Sequence, residues 1–161
     1  MEKKESGEKI LNTNRKAYHD YQILEKIESG ICLQGTEIKS LRCKSCNLSE
    51  AYVRIDRGEA WLCQMEIPLY PFGNIANHEP FRKRKLLLHD REIERIETAI
   101  ELQNLSCVPI QVHLKHGRAK ILLGIGKGKK LIDKRETLKK KSATREIERA
   151  TKNVNSGRKS Y

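Results

Sequence analysis

The stretch from Gly117 to Thr137 sets the tightest limit on how this chain folds, because a strand pattern runs there without pause into a glycine and lysine loop. Ala119, Ile121, Leu123 and Ile125 alternate as one buried face, with Lys120 and Leu122 turned the other way. From Gly126 onward no apolar periodicity anchors the chain in a core, while Gly126 and Gly128 allow backbone and ammonium groups to approach another polymer. A folded module ending at residue 125 and a basic arm from 126 to 161 are therefore predicted.

Charge separates the same two parts. Residues 126–161 hold 13 Lys or Arg and 4 Asp or Glu, which is +9 of the formal +12, so the arm carries most of the imbalance. A polyanionic partner follows, since each phosphate neutralised releases condensed counterions. No apolar run approaches the roughly 20 residues that span a bilayer, and the polar start lacks a secretion-signal core, so a cytoplasmic protein without a membrane partner is expected. Five cysteines, an odd number, argue for reduced thiols instead of a disulfide framework. At 161 residues the chain suits one domain.

Residues 1–13 are polar and unpatterned and are expected to be disordered. Tyr21 and Ile23 begin a strand, and Glu28-Ser29-Gly30 offers a turn into a second strand at Ile31–Leu33. Thr36 can cap a short helix with Ile38 and Leu41 on one side and Glu37 and Lys39 on the others. A second hairpin places Val53 and Ile55 inward, turns at Asp56–Glu59, and returns through Trp61, Cys63, Met65 and Ile67. Pro68, Pro71, Gly73 and Pro80 mark a long exposed loop of the kind that often binds. A helix from about Asp90 to Gln103 puts Ile93, Ile96 and Ile100 on one stripe. The last hairpin pairs Val108, Ile110, Val112 and Leu114 with Ile121, Leu123 and Ile125, and Pro109 implies an edge or a bulge there. Six strands joined by hairpins favour a small closed antiparallel barrel, with an open sheet carrying a helix on one face as the alternative. In the arm, Leu138, Ile147, Ala150 and Val154 have helical spacing too thin for an isolated helix, which predicts disorder alone and a helix on the partner.

Several constellations have plain readings. Cys43 and Cys46 have the spacing of half a zinc site or of a redox pair, but no second pair completes four ligands, so no metal or cofactor is expected. The five histidines show no metal-binding spacing, and His113 reads as a surface residue. Gly124–Gly128 spells GxGxG without the spacing of a nucleotide fingerprint, and reads as a linker touching a sugar-phosphate backbone. Arg82–Lys85 follows Tyr70, Phe72 and Phe81, and aromatics beside cations are how single-stranded or looped RNA is gripped.

The segments Asn14–Tyr21, Gly35–Arg42, Tyr52-Val53, Gly58–Leu62, Arg84–His89, Gly117–Lys120 and Gly128–Arg135 occur in an order that resembles the small protein B family, the transfer-messenger-RNA-binding proteins of bacterial ribosome rescue. The resemblance covers residues 14 to about 152 and implies an OB-like closed barrel with about three helices and a basic tail. It further implies binding to the transfer-RNA-like part of transfer-messenger RNA, entry into a stalled ribosome, and mimicry of the missing anticodon arm. Asn14, Lys16, His19, Tyr21, Glu28, Arg42, Tyr52, Leu87, His89 and Lys120 match family positions that bind RNA or support that surface, Tyr21 and Leu87 also being readable as core. Lys127, Lys129, Lys130, Asp133, Lys134 and Arg135 match the tail that probes the decoding centre and empty message channel. Two departures stand out: Ile132 replaces an aromatic or His before Asp133, and Gly126 replaces a common Ala and implies a looser hinge. A monomeric, non-enzymatic adaptor is expected. A constitutive ribosomal component is the alternative, and an RNA-processing enzyme would need acids such as Asp20, Glu28, Glu37 and Asp133, each set among cations where a carboxylate more often orients Arg or Lys.

Overall fold

The computed structural model describes residues 8–43, 46–130 and 142–145. It divides into one compact unit ending at Gly128 and a second beginning at Lys129.

In the first unit, β1 (Glu8–Thr13), β2 (Tyr21–Ile31), β3 (Tyr52–Asp56), β4 (Glu59–Cys63), β5 (Arg84–Leu87), β6 (Ser106–Lys115) and β7 (Arg118–Gly128) form one antiparallel sheet in the order β1-β6-β7-β2-β5-β4-β3. Three α-helices interrupt it, α1 (Arg15–Asp20), α2 (Gly35–Cys43) and α3 (Asp90–Glu101), with a single 3-10 turn at Asn74–Ala76. Two hairpin turns have left-handed backbone at both central residues, Arg57 (φ 51°) with Gly58 (φ 74°) and His116 (φ 51°) with Gly117 (φ 76°), the turn geometry whose twist matches paired strands. The ladder shifts register between Pro109 and Gln111, so the missing proline donor is absorbed in a bulge.

The mainly antiparallel architecture stands, but not the closed six-stranded barrel. Among the described residues there are seven strands, and the hydrogen-bonded order ends at β1 and β3. The sheet curls until β3 lies against β6, yet no ladder joins these two strands among the described residues. The seam is bridged by a side chain instead. The buried Asn14 amide donates to Leu48 O at 2.9 Å, on the chain leading into β3, and to Pro109 O at 3.0 Å, in the β6 bulge. Its Oδ1 accepts from Ala17 N–H at 3.0 Å and so caps α1.

Other expectations change for local reasons. Residues 8–13 are a strand paired with β6, not a disordered leader. The segment Glu28-Ser29-Gly30 continues one long strand in place of a turn, because β7 supplies partners from Tyr21 through Gly30. In β4 the inward residues are Ala60 and Leu62, with Trp61 on the outer side. Left-handed Gln64 (φ 58°) then resets the phase so that Met65 and Ile67 are buried. The ladder also extends past Ile125 to Gly128, and Gly126 is no hinge: a Cβ there would lie 2.4 Å from Gln22 O. α3 is amphipathic as expected, with Ile96 and Ala99 buried and the Glu92 carboxylate accepting from the His89 N–H at 2.8 Å.

The largest correction concerns Glu37 and Arg84, both with 0% exposure. Arg84 Nε donates to Glu37 Oε1 at 2.8 Å and Arg82 Nη2 to Glu37 Oε2 at 2.7 Å. The rest of the Arg84 guanidinium is spent on the carbonyls of Met65 (2.6 Å), Arg82 (2.9 Å) and Pro80 (3.0 Å). Arg84 is thus withdrawn from the run Arg82–Lys85, because strand alternation turns it into the core to meet the acid of α2, while Lys83 stays exposed. Burial works against both charges and holds Arg84 below its ordinary value. For Glu37 burial pushes upward, but hydrogen bonds from Arg82 and the Gln34 N–H, with the Arg84 charge, carry the carboxyl below its ordinary 4.5.

Replacing Glu37 by Gln strands a buried guanidinium, and the expected cost in urea unfolding at neutral pH is about 3–5 kcal/mol. A midpoint equal to that of the parent would remove this pair from the account of stability. Glu37 binds its proton more weakly folded than unfolded, so its contribution is complete above about pH 4.5 and is lost as pH falls through the lower folded-state value. The Gln variant should therefore show a flatter acid limb.

Candidate nucleic-acid interface

The expected site residues fall into two groups that one outer surface connects. The first surrounds α1. Lys16, Tyr21 and Tyr52 line a cleft of about 270 Å³ with Asp20, Glu50 and Val108, beside a larger cleft of about 490 Å³ lined by Arg15, Lys16, Asn12 and Asn47. Lys16 is exposed and pairs with Glu50, whose hydrogen bond and charge raise the lysine pKa. His19 Nδ1 meets Asp20 Oδ1 at 2.9 Å. Tyr52 is exposed, whereas Asn14 is a buried support, as described above.

The second group lies on the outer face of β2, β7 and β5. Register places Leu87, Gly30, Lys120 and His113 side by side across four strands. Glu28 stands one pleat along on the same face. Leu87 is 55% exposed, which excludes the core reading; Tyr21 is half-buried at the C-terminal end of α1. Arg42, exposed at the end of α2, donates to Gly117 O at 3.2 Å in the turn between β6 and β7. His89 is exposed at the start of α3 and is not joined to either group by a direct contact in the structure described.

Four residues missed in the sequence complete this surface. Tyr18 and Lys26 link the groups, the ammonium lying 5.4 Å from the ring centroid, so that α1 meets the outer face of β2 through a cation–π contact. The other two are His113 and Lys115. His113 is not a surface residue: it is 2% exposed, and its Nε2 lies 3.1 Å from Glu28 and 3.2 Å from Glu8. Carboxylates only accept, so the ring proton sits on Nε2, and Nδ1 is left buried with no hydrogen-bond partner among the described residues. Lys115 Nζ adds a contact to Glu28 at 3.5 Å. Burial pushes Glu28 upward, but the His113 hydrogen bond and Lys115 outweigh it, so the carboxyl titrates below its ordinary value and stays an acceptor. Strand alternation carried the signal for His113, which sits opposite Lys120, but not the arrival of Glu8 from a segment expected to be unfolded.

The cysteines divide by burial. Cys46 is buried and pushed up to about 11, and Cys107 to about 12, while Cys43 is exposed. Of the tail residues, Lys127 is exposed within the ladder opposite Gln22, Lys129 is half-buried and Lys130 exposed. Residues 142–145 are helical. Ile132, Asp133, Lys134, Arg135, Leu138, Ile147, Ala150 and Val154 lie outside the described residues. No described helix is long and apolar enough to cross a membrane.

Comparison with known proteins places this surface in a family. The family model for the SmpB protein matches residues 11–153. The SsrA-binding protein of Carboxydothermus hydrogenoformans is 53% identical over 143 residues, 89% of this chain and 96% of its own length. That of Bacillus subtilis is 51% identical over 149 residues, 92% and 96% of the two chains. A solved chain from the work described as "tmRNA-SmpB: a journey to the center of the bacterial ribosome" superposes with a TM-score of 0.66 at 41% identity, covering 80% of this chain and 94% of that one. Since the match spans both the sheet and the basic arm, the chain belongs to the SmpB protein family.

Proposed function

We propose that this protein is an RNA-binding adaptor of trans-translation in the cytoplasm. It holds the transfer-RNA-like domain of transfer-messenger RNA, brings it to a stalled ribosome, and stands in for the missing anticodon arm. The observation that carries this reading is the 53% identity to an SsrA-binding protein across nearly its whole length. The surface supports it: Lys16, Tyr52, Lys26 and Lys120 offer cations and a ring to a phosphate backbone, and Glu28 offers a fixed acceptor to base or ribose donors. Asn14 and His113 act behind this face, one bridging the seam and the other orienting Glu28. The near-closed curl of the sheet fits an OB-like barrel completed by side chains. Lys129, Lys130, Asp133, Lys134 and Arg135 belong to the arm that reaches the decoding centre and the vacant message channel, with Lys127 at the end of β7 from which it departs, and an RNA wall there would order a helix studded with cations.

Two outcomes test the division of labour. Lys16→Ala and Lys120→Ala should each weaken binding of transfer-messenger RNA and reduce the slope of log affinity against log salt by about 1, read by filter binding across a potassium chloride series. An unchanged slope in both would take the phosphate contact away from this face. Truncation after Gly128, which spares the β7 ladder, should keep the affinity for that RNA while abolishing tagging of stalled chains in a reconstituted translation system; tagging at the parental rate would refute the role given to the arm.

A further inference from the structure

The loop from Leu69 to Phe81 is a built feature that neither the sheet face nor the tail uses. Asn77 holds it from within: its side chain accepts from the Tyr70 and His78 N–H groups at 3.2 and 3.1 Å and donates to Tyr70 O at 2.8 Å. His78 is buried, its Nε2 donating to Ile67 O at 3.1 Å while Nδ1 meets the Thr36 hydroxyl at 3.0 Å. A loop pinned this way nevertheless leaves Phe72 80% exposed. The ring is not isolated. It meets Tyr70 edge to face, with centroids 5.7 Å apart, and Lys39 of α2 lies 5.8 Å from the centroid of Tyr70. Lys39 is one turn ahead of Arg42, which touches the turn between β6 and β7. A line of cations and rings therefore runs from the edge of the proposed RNA face along α2 and ends at an open aromatic surface.

We infer that Lys39, Tyr70 and Phe72 form a ledge on which an unpaired base of the bound transfer-messenger RNA stacks, extending the RNA interface beyond the sheet. The inference rests on the reading of the sheet face as an RNA surface. The chemistry is complementary: the exposed Phe72 ring supplies the stacking partner, and the Lys39 ammonium beside the adjoining Tyr70 ring supplies a counter-charge for the neighbouring phosphate. Stacking requires no particular base, so the ledge adds affinity without reading sequence.

The test uses the full chain and transcribed transfer-messenger RNA at fixed salt. Phe72→Ala should bind about 5- to 100-fold more weakly, the range expected for loss of one base–aromatic stack, with an unchanged salt slope and an unchanged melting temperature. Phe72→Tyr should restore binding, whereas Phe72→Leu, which keeps an apolar surface but no π face, should bind as poorly as Ala. Full affinity in the Ala or Leu variant would overturn the inference, Ala by showing that the side chain is not needed and Leu by showing that no π face is. RNA affinity intact with weakened binding to 30S subunits would also overturn it, by assigning the base to ribosomal RNA. Lys120→Ala, measured in parallel, separates the two readings: its failure to alter the salt slope counts against the sheet face, while the Phe72 series alone decides the ledge.

Discussion

One buried anion organises the half of the molecule that the sheet does not. Glu37 points from α2 into a space where only Arg82 and Arg84 neutralise it, and Arg84 in turn ties the carbonyls of Met65, Pro80 and Arg82. A helix, a long loop and the start of β5 thereby meet at a single carboxylate. Hydrophobic burial could bring the same pieces together but is non-directional, whereas the forked guanidinium accepts few arrangements. The orientation of α2, and with it the positions of Lys39 and Arg42, follows from this pair.

The same economy governs the sheet. Where backbone pairing stops between β3 and β6, Asn14 supplies the missing connection and caps α1 with its remaining oxygen. Where a negative group is needed on a cationic surface, His113 and Lys115 hold Glu28 ionised. Asn14 and His113 are thus buried scaffolding, while Lys16, Lys26 and Tyr52 stand exposed in front of them. The buried polar groups behind the face govern where those groups stand.

Alternation and turn chemistry made most of the strands legible: both left-handed turns, the Pro109 bulge and the stripe of α3 follow from local pattern. What local pattern could not reveal is long-range pairing. Arg82–Lys85 reads as a run of cations facing an RNA until Glu37 arrives from 45 or more positions away. Residues 8–13 have no strand signature of their own, and become a strand because β6 offers an edge. Glu28-Ser29-Gly30 has the composition of a turn, and is overruled by nine consecutive partners in β7 and two in β5. The ten candidate RNA residues were legible through resemblance, while Tyr18, Lys26, His113 and Lys115 emerge from register and packing alone.

The length of β7 carries a consequence of its own. Lys120 at one end of the strand and Lys127 near the other are separated by seven residues of continuous ladder, roughly 23 Å at the rise of a β-strand. Gly126 is wedged against the β2 backbone between them. The sheet therefore works as a ruler: whatever is grasped at Lys120 fixes, with little play, the point in space at which the chain beyond Gly128 sets out.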